Sequence, residues 1–205
     1  MFGENVDTFI SIINILGLIA FAFSGAIAGM KREADIVGVI ILSLIACSFG
    51  GLVRDLMLGD TPPELLRSNF ILTLAVIIGL VTYFFFNKVN RFARPIDFFD
   101  ALGLGLFTVV GASKAMSFGL NATWCVGMGL ITSIGGGVVR DMMLAQVPTV
   151  FKSEIYATPA ILGSFIFVAG KTVLPDYGHI FMALGAITCS GLRLMAIHNN
   201  WHVRR

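Results

Sequence analysis

Charged residues are scarce in this 205-residue sequence: Asp, Glu, Lys and Arg together make up only 13% of it, about half the share in an ordinary soluble domain. Apolar residues make up 57%, and the mean hydropathy is +0.89. A soluble fold of this size could not cover so much apolar surface, so lipid must be its solvent. The net charge of +2 lacks the basic footprint of a nucleic-acid-binding protein, and no nucleic-acid partner is expected.

Catalytic, redox and metal motifs are also missing. The sequence contains no Gly-x-Ser-x-Gly, His-Glu-x-x-His or P-loop string, so neither an enzyme nor a cofactor or metal site is expected. Cys47, Cys125 and Cys189 lie in apolar runs and are expected to be small buried side chains. A cleaved signal peptide is not expected, because Glu4 and Asp7 precede the first apolar run. The absence of lipidation or retrieval signals favours a bacterial inner membrane.

Long apolar runs, in contrast, are abundant. A helix needs about 20 apolar residues to cross a bilayer, and seven runs approach this length. They cover residues 8–30, 35–58, 69–87, 97–119, 122–145, 155–174 and 178–197. The predicted fold class is therefore an all-α integral membrane protein with seven transmembrane helices.

The basic residues between these runs predict the orientation. Nine fall on one predicted side: Lys31, Arg32, Lys88, Arg91, Arg94, Lys152, Arg193, Arg204 and Arg205. The other side carries only Arg67 and Lys171. Because basic loops stay cytoplasmic, we expect the N-terminus outside and the C-terminus in the cytoplasm, which requires an odd number of spans.

An internal repeat organises the chain. Residues 50–58 read GGLVRDLML and residues 136–144 read GGVVRDMML, 86 positions further on. The same offset aligns Asn14 with Asp100, Gly17 with Gly103, Phe21 with Phe107, Gly25 with Gly111 and Pro62 with Pro148. The units are residues 1–87, residues 97–174, and a seventh helix with the C-terminus at 178–205. Because each repeat holds three spans, the second copy must be inverted in the membrane, as in many transporters.

Glycines cluster in spans 2 and 5, namely Gly50, Gly51, Gly135, Gly136 and Gly137. Each costs about 1 kcal/mol in a helix interior. Such clusters permit a bend or a local break, whose freed carbonyl oxygens could bind a cation in a wet cavity. They also permit close helix packing. The sequence leaves both interpretations open.

Two Arg-Asp pairs follow the glycines: Arg54-Asp55 and Arg140-Asp141. Charges inside a membrane usually face a cavity, pair with partners or snorkel. Adjacent helical residues point about 100° apart, so each arginine is expected to find its main partner elsewhere. Asp100 on span 4 is the best candidate for one of them, and Asn14 is its polar counterpart on span 1. The prediction is two charged collars that flank a glycine-rich centre.

Lys114 lies inside span 4, and its repeat counterpart is the uncharged Ala28. A lysine here could line an ion path, act as a gate or sense voltage. The alternative is a lysine that snorkels to the outer surface.

The duplicated string, the two three-span units and the seventh helix resemble the prokaryotic trimeric intracellular cation (TRIC) channels, some of whose relatives carry a glycine-transporter label. The resemblance implies a homotrimer in membrane lipid, with a potassium-permeable, sodium-tolerant path between the repeats of each subunit. It places Gly50, Gly51 and 135–137 at the pore hinges. It places both Arg-Asp pairs and Lys114 beside the pore. The first copy departs from the pattern, because Phe49 stands where a third glycine would be.

Three functions compete at this point. The leading one is a passive cation channel, in which carboxylates neutralise the arginines. The second is a small-solute transporter, for example of glycine, since inverted repeats suit alternating access equally well. The third is a structural or assembly protein whose glycines only pack helices. Glycine-bearing faces of spans 1 and 4 are candidate subunit contacts.

Overall fold

The computed structural model describes residues 2–67, 69–89, 94–152, 155–199 and 201. These residues are almost entirely helical. The helices are α1 (Phe2–Met30), α2 (Ile36–Leu58), α3 (Glu64–Arg67), α4 (Phe70–Val89), α5 (Pro95–Ser117), α6 (Ala122–Met143), α7 (Thr149–Lys152), α8 (Ala157–Val173) and α9 (Gly178–His198). A 3-10 turn at Pro175–Tyr177 precedes α9. Each predicted run matches one helix, and the ends agree to within two residues except at α1, which begins six residues before its predicted run.

The repeated helices α2 and α6 begin with the same local device. The side chain of Asp35 accepts a hydrogen bond from the backbone N–H of Gly38 at 2.8 Å. The side chain of Asn121 accepts one from the N–H of Trp124 at 3.0 Å. Asp35 and Asn121 are 86 positions apart, so the repeat extends to the capping residues that start each helix.

Among the described residues, six helices are long and apolar enough to cross a membrane: α1, α2, α4, α5, α6 and α9. The sixth predicted span corresponds to α8, which has 17 residues. At 1.5 Å per residue, α8 is about 26 Å long, slightly shorter than a hydrocarbon core of about 30 Å. The chain is therefore an all-α protein with at least six membrane-crossing helices.

Helix α5 lies at the centre of the protomer, where it packs against α1, α6, α8 and α9. Small residues allow this. A Cβ on Gly103 would lie 2.7 Å from the ring of Phe21, and a Cβ on Gly111 would lie 2.6 Å from the Cβ of Thr132. On α1, a Cβ on Gly25 would likewise lie 2.7 Å from the Cβ of Ala46, so the glycine faces of spans 1 and 4 are filled within one chain. Their prediction as subunit contacts is wrong, because neighbouring helices of the same chain already occupy them.

Arg193 departs from its predicted place among the exposed basic residues. It is 4% exposed, donates to the carbonyl oxygen of Ile155 at 2.9 Å and lies over the ring of Tyr156 at 4.6 Å. It acts in the interior because α9 packs against α8. Three other basic residues used in the orientation argument lie outside the described residues: Arg91, Arg204 and Arg205.

Candidate functional site

The glycine strings lie where α2 crosses α6. A Cβ on Gly50 would collide with the carbonyl oxygen of Thr132, and a Cβ on Gly136 would collide with that of Ala46. A Cβ on Gly135 would lie 2.9 Å from the Cα of Gly50. Both helices continue through their glycines without interruption. Of the two interpretations that the sequence leaves open, the structure shows close packing at these glycines: α2 and α6 have no local break here, and their unbroken backbones touch.

The crossing is reciprocal. Ala46 contacts Gly136 while Gly50 contacts Thr132, so residue numbers rise along α2 as they fall along α6. The two helices therefore run antiparallel at this point. The 86-residue offset converts each contact into the other, which is the signature of a local two-fold axis between the helices.

The neighbouring glycines have a different environment. A Cβ on Gly51 would meet only the Arg54 guanidinium, at 3.7 Å, and one on Gly137 would lie 3.2 Å from the hydroxyl of Tyr156. Gly51 and Gly137 are also 86 positions apart. In each repeat, one glycine makes the helix crossing and the next leaves room for the polar side chains beside it.

A first charged cluster surrounds Arg54. Its members are Asn14, Arg54, Asp55, Asp60, Glu64, Arg67 and Lys114. The Arg54 guanidinium, 3% exposed, lies 2.8 Å from Asp55 and 3.2 Å from Glu64. The cluster contains three basic and three acidic side chains, so its formal charges cancel. Such cancellation offsets much of the cost of holding ions inside a membrane protein.

Lys114 connects α5 to this cluster. Its ammonium lies 2.7 Å from Asp55 and 2.6 Å from Asp60. It does not simply snorkel to the surface, since its side chain is only 20% exposed and binds two carboxylates. Lys114, followed by Arg67, lowers the pKa of Asp60 to about 2 through hydrogen bonds. Asp60 therefore stays ionised at physiological pH.

A second charged cluster surrounds Arg140. Its members are Ser24, Asp100, Arg140, Asp141, Thr149, Tyr156 and Arg193. Arg140, 2% exposed, lies 2.8 Å from Asp100 and 2.7 Å from Asp141, and it also donates to the Ser24 hydroxyl. The Tyr156 hydroxyl donates to the other oxygen of Asp100 at 2.7 Å. The sequence predicts that Asp100 pairs with one of the two arginines, and the structure pairs it with Arg140.

Two details of the predicted pairing need correction. Each arginine also bonds the aspartate that follows it, at 2.9 Å from Nε in both repeats. The long arginine side chain folds back along the helix, so the 100° separation does not prevent contact. In the first repeat, Asn14 does not take the role that Asp100 has as a partner of Arg140. It instead donates a hydrogen bond to Glu64 at 3.1 Å.

Each aspartate of the repeated string also holds the segment that follows its helix. Asp55 accepts from the backbone N–H of Glu64 at 2.9 Å. Asp141 accepts from the backbone N–H and the hydroxyl of Thr149, both at 2.8 Å. The aspartates thereby dock α3 and α7. The aligned prolines at 62 and 148 were the sequence signal that a similar turn follows both helices.

A small cavity lies beside the first charged cluster, bounded by α1, α2, α4 and α5. Its polar lining includes Asn14, Arg54 and Glu64, and its apolar lining includes Leu18 and Phe107. The space for the centre of a water molecule amounts to about 20 Å³, which is room for about one water. Within the described residues, no group of three or more His, Cys, Asp or Glu side chains is arranged to hold a metal ion.

Sequence and structure comparisons agree on the relatives of this chain. The family model described as glycine transporter matches residues 11–88 and 97–172, one match for each repeat. The inner membrane protein YadS of Escherichia coli K12, a UPF0126 protein, is 28% identical over 94% of this chain and 92% of its own length.

Solved structures decide the family. The crystal structure of a prokaryotic TRIC channel in 0.5 M KCl is 33% identical, covers 96% of this chain and 99% of its own, and superimposes with a TM-score of 0.88. The trimeric TRIC orthologue from Rhodobacter sphaeroides is 29% identical over 95% of this chain and 100% of its own, with a TM-score of 0.90. This chain belongs to the prokaryotic TRIC family. As a TRIC family member it is a multi-pass membrane protein, and its structural matches are cation channels rather than enzymes.

Proposed function

We propose that this TRIC family member is a potassium-permeable channel, which also tolerates sodium, with one ion path in each subunit between two inverted repeats. It would act as a homotrimer in the bacterial inner membrane. Helix α8, the sixth span in chain order, would complete the seven by reaching across a slightly thinned bilayer. The glycines at the crossing would hold the two halves together, and the charged clusters would form the two ends of the path.

The reciprocal crossing of α2 and α6 carries this proposal. Its antiparallel register, with Ala46 against Gly136 and Gly50 against Thr132, is what an inverted repeat requires. The arginines lie four residues beyond Gly50 and Gly136 on helices that run in opposite directions, so the two clusters lie on opposite sides of the crossing. A path that follows the interface would meet one cluster near each membrane surface.

The charge balance of the clusters suits a cation. A bare arginine in a narrow path would repel potassium, but Arg54 and Arg140 are each within 2.8 Å of a carboxylate. The second charged cluster likewise has two basic and two acidic residues. With the arginine charges balanced, the carboxylate and amide oxygens of the two clusters can replace part of the hydration shell of a permeating ion.

The contact between Arg32 and Gln146 supports the proposed orientation. The side-chain oxygen of Gln146, in the amide orientation that satisfies both groups, accepts from Arg32 at 2.6 and 2.9 Å. The loops after α1 and α6 therefore lie on the same side. Both belong to the predicted basic side, which the positive-inside rule assigns to the cytoplasm.

The direct test is current through purified protein in a planar bilayer, with potassium on one side and choline on the other. We expect discrete current steps that reverse at a potential set by potassium. Replacing potassium by sodium should leave currents, because the carboxylate and amide oxygens of the clusters can bind either ion. An absence of cation-selective steps across the accessible voltage range would reject the channel.

A second candidate is suggested by the description of the matching family model, glycine transporter. A carrier that alternates between two sides would use the same inverted halves. Uptake of labelled glycine into proteoliposomes separates the two functions. Saturable uptake with fixed ion stoichiometry would support a carrier, whereas current steps without saturable uptake would support the channel.

A further inference from the structure

An aromatic pair lies between the two charged clusters. Phe21 of α1 and Phe107 of α5 meet with their ring centroids 5.2 Å apart and their planes at 54°. Both are buried, at 0% and 3% exposure. They are repeat counterparts, 86 positions apart, so the pair lies at the pseudo-two-fold axis that relates the two halves.

The spacing on α5 places Phe107 midway between the clusters. Asp100 of the second cluster and Lys114 of the first lie seven residues on either side of it. Seven residues make almost two helical turns, or about 10 Å. All three side chains therefore lie on one face of α5. Along the membrane normal, that face carries the Asp100 carboxylate, then the Phe107 ring and then the Lys114 ammonium.

Helix α1 repeats this pattern in the opposite direction. Asn14 belongs to the first cluster, and Phe21 follows it by seven residues on the same face. Each ring rests on a glycine of the other helix: a Cβ on Gly103 would lie 2.7 Å from Phe21, and a Cβ on Gly17 would collide with Phe107. The rings thus fill the space between α1 and α5.

The cavity beside the first cluster reaches one member of this pair, Phe107. Its polar wall is formed by residues such as Arg54 and Glu64, while Leu18, Cys47 and Phe107 form apolar wall. A polar route that enters at the first cluster would therefore reach the Phe107 ring before it could continue to the second.

We propose that Phe21 and Phe107 form the constriction of the ion path, an apolar seal that must part or become wet before a cation crosses. The proposal rests on the channel function above. A narrow section lined only by apolar groups excludes water, and an ion cannot enter it without losing its hydration. The seal would keep the subunit closed even though both of its ends are polar.

The chain supplies a matched control. Phe23 and Phe99 also join α1 to α5, with ring centroids 5.0 Å apart and planes at 21°. Phe23 lies two residues from Phe21, about 200° around the helix, and neither control ring lines the cavity that Phe107 lines. Truncating the control pair removes a ring contact between the same two helices, at half-buried positions, without touching the proposed seal.

The experiment measures potassium efflux from liposomes that contain wild-type protein or the variants F21A, F107A, F23A and F99A. We expect F21A and F107A to increase the efflux rate several-fold, and F23A and F99A to leave it near the wild-type rate. If truncation to alanine prevents folding, F107Y is measured in place of F107A. It keeps the ring volume and adds a hydroxyl that should wet the seal and increase efflux.

The outcomes separate this inference from the channel function. Wild-type efflux that remains unchanged in F21A, F107A and F107Y, or that changes equally in F23A, would overturn the constriction alone. Absence of efflux from the wild type and every variant, despite normal assembly, would reject the channel itself.

Discussion

At the scale of single residues, the two charged clusters differ in how their polar side-chain atoms are hydrogen-bonded and in how far they are exposed. In the second cluster, the oxygens of Asp100 are shared between Arg140 and Tyr156, and all three side chains are buried. In the first cluster, Asp60 and the partly exposed Lys114 and Glu64 reach towards the surface. The second cluster should therefore contribute more to stability, and the first should respond more to the surrounding solution.

Removing the hydroxyl of Tyr156 tests the buried network. Y156F would leave one oxygen of Asp100 without its 2.7 Å donor while the ring still covers Arg193. We expect a loss of about 1–3 kcal/mol in the free energy of unfolding, because the acceptor is buried and charged. Thermal unfolding in detergent measures it, with Y177F on the exposed Tyr177 as the control. Equal midpoints for both variants would contradict the network.

Acid should weaken the first cluster through Asp60. Its pKa is lowered to about 2, first by Lys114 and then by Arg67. A carboxylate with a lowered pKa stabilises the fold above its ordinary pKa of about 4, and this contribution is lost as the pH falls towards 2. In K114M the pKa of Asp60 should rise, so the loss should begin at a higher pH.

Unfolding midpoints between pH 5 and pH 2 measure this shift, with the exposed Lys31 replaced in K31M as the control. Coincident acid profiles for K114M and K31M would show that Lys114 does not hold the Asp60 carboxylate. The comparison depends on the difference between two variants, which removes the general effect of acid on the detergent-solubilised protein.

At the scale of helices, the adjacent residues Gly50 and Gly51 of α2 have different surroundings. Substituting each in turn therefore distinguishes a role in packing from a role in flexibility. In G50A the new Cβ would meet the carbonyl oxygen of Thr132, which cannot move without parting α2 from α6. In G51A the nearest atom is the end of the Arg54 side chain at 3.7 Å. We expect G50A to lose about 1–3 kcal/mol or more, and G51A to fold at least as well as the wild type because alanine favours helix by about 1 kcal/mol.

Trimer yield and unfolding midpoint, measured side by side, decide this prediction. A G50A protein as stable as G51A would mean that the helices do not touch at Gly50. If G51A folds normally but loses potassium flux, then Gly51 contributes flexibility rather than packing. In the second repeat, G136A should lose stability as G50A does, but G137A is not a matched control because its Cβ would lie 3.2 Å from the Tyr156 hydroxyl.

The elements were predictable because their signals are local or repeated. Apolar length predicted the long helices, and the 86-residue offset related Gly50 to Gly136 and Arg54 to Arg140. Side chains without a repeat counterpart escaped prediction: Tyr156 aligns with Phe70, and Glu64 aligns with Val150. Their contacts form only when distant helices meet, so they cannot be inferred from residue spacing along the chain. Glycine strings likewise permit both a break and a close crossing, and only the packing of α2 on α6 distinguishes these.

At the scale of the whole molecule, the two repeats must face opposite sides of the membrane if the crossing reflects an inverted pair. Helices α3 and α7 follow the repeated string at equivalent positions, and they end at Arg67 and Lys152. Inversion places these ends on opposite sides, Arg67 outside and Lys152 in the cytoplasm. Single cysteines at the two positions can report this, because the native Cys47, Cys125 and Cys189 are buried.

We expect a membrane-impermeant maleimide to label R67C in intact spheroplasts and to label K152C only after the membrane is opened. The buried native cysteines should give the unmodified chain a low background in both conditions. Labelling of both positions from the same side would mean that the repeats run in the same direction. Both charged clusters would then lie towards one surface, and a path between them could not cross the membrane. That result would reject the proposed channel architecture and, with it, the proposed constriction at Phe21 and Phe107.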